Sequence, residues 1–169
     1  MIVYKRIGII THSLIPGSTR LSKQLIASYG HEGDWWSSNE DQIDQISVDL
    51  EGTDLLITIG GDGMILRGAH IAAPMGIPVL GINMGRVGFM TEIDADDAVA
   101  DLDWYLAGNA RRDKRFMLMA ESLDGSLTDC PFIALNDVTV ARGGTLGVID
   151  IETIVDKVKL SNYRGDGLV

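Results

Sequence analysis

DLLITIGGDGMILRGAH, residues 54–70, decides how this chain is read. It begins with a short continuous apolar run, the kind of strand buried on both faces of a parallel sheet. Two glycines, an aspartate and a third glycine interrupt it. An apolar segment then predicts a helix over 64–73, stopped by Pro74. Gly60, Gly61 and Gly63 either only let the backbone turn, or bring it close to something that Asp62 must touch. Gly-Asp-Gly clusters are common punctuation, so GGDG alone leaves both readings open.

Outward from that stretch, residues 3–10 (VYKRIGII) predict a first strand. Ser18 or Thr19 then reads as a helix cap, with Leu21, Leu25, Ile26 and Tyr29 on one face and Gly30 at the end. Residues 31–44, acidic and polar around Trp35 and Trp36, carry no assignable pattern. Residues 78–83 (PVLGIN) predict the next strand. Asp94 is expected to cap a helix whose apolar face is Val99, Leu102, Tyr105 and Leu106, with Gly108 beyond it. Alternating strands and helices imply a parallel, Rossmann-like α/β domain, placed at residues 1–108. Strand-like runs at 116–122, 132–140 and 148–155 follow without room for helices. Residues 109–169 are therefore expected to begin a β-rich domain, joined through the basic run RRDKR at 111–115. SNYRGDGLV ends at Val169 in what reads as the start of another strand, so that domain is expected to be incomplete.

Composition narrows the function. The chain has 169 residues, 46% hydrophobic and 22% charged, the balance of a globular protein. A chain this long buries roughly two-thirds of its unfolded surface without staples. Its one cysteine, Cys130, cannot form an internal disulfide, which fits a cytoplasmic protein. The longest uncharged apolar stretch, 71–85, contains two prolines and is too short to span a bilayer. With 24 acids against 14 bases the net charge is −10, which argues against a nucleic-acid or anionic-membrane binder. A nucleotide remains possible, with local bases or a divalent cation offsetting the acids.

In a doubly wound sheet, ligands bind beyond the carboxyl ends of the strands. Residues 60–63 and 83–88 both fall there, which favours the functional reading of GGDG. The glycines allow positive φ and expose N–H groups at a helix start, and the helix dipole there favours the Asp62 carboxylate. Asp62 is suited to accept a hydrogen bond from a sugar hydroxyl and to deprotonate it for attack. GINMGRVGFM, 81–90, carries Arg86, either a phosphate donor or a surface arginine on a tight loop. No G-x-G-x-x-G fingerprint or G-x-x-x-x-G-K-[ST] loop is present. Asn136 and Asp137 interrupt the apolar strand FIALNDVTV, as a bulge or as readers of a purine edge or carboxamide. Asp166, between Gly165 and Gly167, reads as a turn. His12, His31 and His70 lack metal-ligand spacing and read as structural or exposed.

Taken in order, GGDGM, PVLGINMGRVGFMTEID, ALNDVTVARG and YRGDGLV resemble the NAD kinase family, from Thr53 to the end of the chain. GGDG is shared with lipid kinases and, in variant form, with phosphofructokinases; the GINMGRVGF segment sets this family apart. The resemblance implies phosphoryl transfer to the 2′-hydroxyl of the adenosine ribose of NAD. The donor is ATP or polyphosphate, and a divalent metal, Mg²⁺ foremost, serves as cofactor. It gives Asp62 the catalytic role. The nucleotide-binding set that it implies is Gly60, Gly61, Gly63, Met64, Arg67, Asn83, Gly85, Arg86, Gly88, Phe89, Asn136, Asp137 and Asp166. No protein side chain is assigned as a metal ligand. A homo-oligomer is implied for the full-length form. Met64 stands where the family usually has Thr, and Asp137 where it has Glu. The Ser-Thr-Pro-x-Gly-Ser type segment that follows in the family lies beyond Val169, and a site without it is expected to lose most of its rate. The alternatives are a GGDG-type lipid or sugar kinase, and an inactive nucleotide-binding fragment.

Overall fold

The computed structural model describes residues 2–85, 88–125, 131–143 and 147–169. It divides into two compact units, Met1–Lys114 and Arg115–Val169. In the first, the chain runs β1 (Arg6–Thr11), α1 (Pro16–Tyr29), β2 (Asp34–Asn39), α2 (Ser47–Leu50) and β3 (Leu55–Gly60). It continues through α3 (Asp62–Ala72), β4 (Val79–Asn83), β5 (Ile93–Asp94) and α4 (Ala98–Leu106). The strands form one sheet in the order β2-β1-β3-β4-β5, every neighbouring pair parallel. This is the expected α/β fold.

All six residues of β3 are buried, because helices cover both faces of the sheet. The two-residue period of a strand divides them. Leu55, Ile57 and Ile59 join Ile7 and Ile9 beneath Leu21 and Leu25 of α1 and Leu102 and Leu106 of α4. Leu56 faces the other way, with Ile10 and with Met64 and Ala72 of α3. Each such Leu, Ile or Met side chain contributes about 1.5–3 kcal/mol by leaving water.

Strand β2 lies in the stretch that carries no assignable pattern. Its sequence, DWWSSN, is mostly polar, and it occupies the sheet edge, where only a partial apolar face is needed. Trp36 anchors it: the indole lies where a Cβ on Gly8 would stand, and its Nε1 donates to Thr53 Oγ1 at 3.0 Å. The strand matters for the site because the chain leaves β1 towards β2 and returns on the far side as β3. The reversal makes the crevice between the carboxyl ends of β1 and β3 the topological switch point.

Two expected caps are corrected. Helix α1 starts at Pro16 with Ile15 as its N-cap, since proline needs no N–H partner in the first turn. Ser18 sits inside the helix, its hydroxyl 2.7 Å from Ile15 O and 2.8 Å from His12 O. Helix α4 starts after Asp97, and Asp94 belongs to β5. Val99 is 40% exposed, and Ala98 instead packs beside Leu102 and Leu106. Gly108, at φ 78°, ends the helix as expected.

The second unit holds β6 (Leu118–Ala120), β7 (Phe132–Ala134), β8 (Val140–Ala141), β9 (Ile149–Val155), β10 (Val158–Gly165) and β11 (Gly167–Leu168). Among the described residues three antiparallel pairs form: β6 with β7, β8 with β11, and β9 with β10. Asp156 and Lys157 both have positive φ, 50° and 69°, which suits the two-residue turn of the β9–β10 hairpin. The run expected over 132–140 is broken: it ends at Ala134 and resumes at Val140.

Candidate functional site at the switch point

Strand β3 delivers its last residue, Gly60, to the carboxyl edge, and α3 begins two residues later with Asp62. None of Gly60, Gly61 and Gly63 has positive φ, so the expected conformational reason does not apply. Gly60 is small because the Met64 side chain packs against its Cα, with the Met64 Cβ 3.1 Å from any added Cβ. Gly61 is extended, at φ −112° and ψ −166°, and an added Cβ on Gly61 or Gly63 would have no atom within 4 Å. These two leave open space at the helix start.

Asp62 is held from the neighbouring loop. Its Oδ2 accepts the N–H of Phe89 at 3.0 Å and its Oδ1 the N–H of Met90 at 3.1 Å. Gly88 makes this possible: a Cβ there would collide with Asp62 Oδ1 and stand 3.0 Å from Asp62 Cγ and from Thr91 Oγ1. The loop is fixed at its root as well. Asn83, 5% exposed, donates from Nδ2 to Gly85 O at 3.3 Å and to Asp94 Oδ1 at 3.1 Å, while its Oδ1 accepts Gly85 N–H at 3.2 Å. Met84 N–H donates to Gly60 O at 2.8 Å, tying the loop to the end of β3.

The structure thus brings residues 60–63 together with Asn83, Gly85, Gly88 and Phe89. The Phe89 side chain is 99% exposed beside the Asp62 clamp. Met64 is 2% exposed, so its side chain belongs to the core and not to the edge. Arg86 lies outside the described residues. In the second unit, Asn136 and Asp137 are exposed in the connection between β7 and β8, so their polarity is met by water and not by burial in a strand. Asp166 is exposed in the turn between β10 and β11, its carbonyl 3.5 Å from Arg142 N.

Sequence reasoning named Arg67 but missed the cluster that holds it at the same edge. His12 and Ser13 follow β1, Glu40 follows β2, and Arg67 lies on α3. Glu40 is 6% exposed; its Oε1 is 2.9 Å from His12 Nδ1 and 3.1 Å from both Ser13 N and Ser13 Oγ, and its Oε2 is 2.6 Å from Arg67. The local signal was Asn39, whose side chain accepts from Asp41 N at 3.1 Å and so starts the turn that carries Glu40.

Among the described residues no three His, Cys, Asp or Glu side chains converge to hold a metal ion. Of the carboxylates Glu40 and Asp62 at this edge, Glu40 is filled by His12, Ser13 and Arg67, which leaves Asp62 as the oxygen donor suited to a hard cation such as Mg²⁺.

A doubly wound parallel sheet with a clamped, glycine-framed acid at a strand's carboxyl end makes this an α/β protein of the kind that binds its ligand at that edge. The model of the ATP-NAD kinase N-terminal domain matches residues 17–110. The NAD kinase of Dehalococcoides mccartyi strain BAV1 is 39% identical over 169 residues, which cover 99% of this chain and 60% of that protein. The chain belongs to the NAD kinase family, and it spans about 60% of the length of that curated relative. Yeast NADH kinase complexed with NADH shares the fold at a TM-score of 0.75 and 23% identity, over 97% of this chain and 56% of that one. An NAD kinase from Archaeoglobus fulgidus in complex with ATP does so at 0.69 and 23%, over 95% and 58%.

Proposed function

We propose that the chain forms the Asp62-bearing part of an NAD kinase. It phosphorylates the 2′-hydroxyl of the adenosine ribose of NAD to give NADP, with Mg²⁺-ATP or polyphosphate as donor. One observation carries the reading. The Asp62 carboxylate stands at the switch point in the grip of two N–H groups from a loop 27 and 28 residues further on. Asp62 and residues 88–90, from two of the four segments of the resemblance, are thereby joined.

Each Asp62 oxygen keeps acceptor capacity after its backbone bond. A ribose hydroxyl presented there donates to Asp62, which orients the oxygen for in-line attack and takes its proton. The new O–P bond forms as the bond from phosphorus to the donor's leaving oxygen breaks, releasing ADP or a shortened polyphosphate. Positioning and charge stabilisation supply most of the rate in such transfers. Bound Mg²⁺ neutralises charge on the phosphates. Gly61 and Gly63 leave room for the ligand, Arg67 offers guanidinium donors to phosphate, and the exposed Phe89 ring offers a face to a base. Gly60, Asn83, Gly85 and Gly88 shape the loop walls, and Arg86 adds charge. Asn136, Asp137 and Asp166 contribute dinucleotide contacts in the complete protein, a cytoplasmic homo-oligomer. No described helix is long and apolar enough to cross a membrane.

The test is incubation with NAD, Mg²⁺ and ATP or polyphosphate, with NADP read by an NADP-specific dehydrogenase. NADP is the expected product. Phosphorylation of diacylglycerol in place of NAD reassigns the chain to the lipid kinases. NAD binding by the folded chain without turnover makes it a nucleotide-binding portion only.

A further inference from the structure

We propose that Glu40 is a positioning residue, holding the Arg67 guanidinium at the switch-point edge in the orientation in which its remaining donors meet a phosphate group. The inference rests on the phosphate-transfer reading for the ligand, and on the structure for the geometry.

Glu40 is not an ordinary surface acid. It is 6% exposed, and a carboxylate so removed from water is tolerated only when its lone pairs are filled. Four donors fill them. Ser13 N and Ser13 Oγ approach Oε1 at 3.1 Å, His12 Nδ1 stands 2.9 Å from the same oxygen, and Arg67 reaches Oε2 at 2.6 Å. His12 Nδ1 also lies 3.2 Å from Leu14 N, but one ring nitrogen cannot both donate and accept. The carboxylate, being closer and charged, takes the Nδ1–H. One buried group thus joins the ends of β1 and β2 to α3, the helix that starts with Asp62.

Arg67 is the outward member of the cluster. Its side chain is 57% exposed, and among the described residues Glu40 is its recorded ion-pair partner. A guanidinium carries five N–H donors, so most remain available at the edge. A free arginine loses rotamer freedom when it grips a phosphate; one already tethered through a buried carboxylate loses less. Tethering and charge predict opposite effects of Glu40→Gln. Removing a negative charge near the site favours an anion, whereas releasing Arg67 disfavours it. The proposal holds that orientation wins.

The experiment is calorimetric titration of inorganic tripolyphosphate into the 169-residue chain, for the parent, Glu40→Gln, Arg67→Ala and the double variant, each checked by thermal unfolding. Glu40→Gln is expected to weaken binding about tenfold. The double variant should bind no more weakly than Arg67→Ala alone. Glu40→Asp keeps the charge for His12 and Ser13 but falls one methylene short of Arg67; it should fold and show the same loss even if the glutamine variant does not fold. Unchanged or tighter binding in Glu40→Asp, or in a folded Glu40→Gln, overturns the proposal. So does an equal loss with and without Arg67, which would give Glu40 a purely structural role. A parent that binds no tripolyphosphate also overturns it, while NADP formation decides the kinase reading separately.

Discussion

A methyl group on Gly88 would occupy the space taken by the Asp62 carboxylate, so one hydrogen atom decides whether the clamp closes. Gly88→Ala must push the loop or the acid aside, and overpacking of this kind costs about 1–3 kcal/mol. Urea unfolding is expected to show that loss, together with slower NADP formation. Full stability in Gly88→Ala would mean that the loop yields freely and that the clamp is not a fixed feature. At this scale the sequence was only half legible. GGDG drew attention to Asp62, the acid that the Phe89 and Met90 N–H groups clamp, because glycines around a carboxylate at a strand end are a local pattern. Which glycine served which purpose was not legible. Gly60 and Gly88 are small because Met64 and Asp62 pack against them, whereas Gly61 has open space around it. Such contacts exist only after folding. Glu40 was hidden for the same reason, since its partners lie 27 residues away on either side.

Elements were legible in proportion to how completely they are buried. Strand β3 reads directly from its apolar run, because both faces meet helices. Strand β2 does not, because an edge strand anchored by two tryptophans among polar residues needs only a partial apolar face. Asp94 looked like a cap because an acid before an apolar helix usually is one; in fact its Oδ1 accepts from Asn83 Nδ2 at 3.1 Å. That bond gives a prediction for the loop after β4. Asn83→Asp keeps the shape but sets a second carboxylate against Asp94 and removes the donor to Gly85 O. It should destabilise by about 2 kcal/mol at neutral pH, and by less in mild acid, where a protonated carboxyl can donate again. Equal stability at both pH values would show that the bond does not matter. In α4, Leu102 is fully buried against the sheet, and Leu102→Ala should cost about 2–5 kcal/mol by chemical denaturation.

Across the molecule, the α/β architecture followed from alternation of strand and helix. The switch point did not, since locating it requires β2. One property of the whole fold is open to titration. Burial raises the phenol pKa of Tyr29, with the Asp103 carboxylate adding to it, and burial with the Glu92 and Asp101 carboxylates raises that of Tyr105. The native state therefore holds these protons more tightly than the unfolded chain. The stability involved is fully present below about pH 10 and is lost as pH climbs through the raised native values. Tyr29 OH also donates to Val99 O at 2.6 Å, joining α1 to α4. Tyr29→Phe should cost about 1 kcal/mol at neutral pH and should flatten the alkaline loss. An alkaline profile identical to the parent's would remove Tyr29 from that transition.

The measurement that bears most directly on the central claim is NADP formation by the parent and by Asp62→Asn, with both shown to be folded. Asparagine keeps the size of the side chain but cannot take the proton of the attacking hydroxyl. The account predicts that kcat falls about a hundredfold or more while KM for NAD changes little. An Asp62→Asn variant that makes NADP at the parent's rate contradicts it.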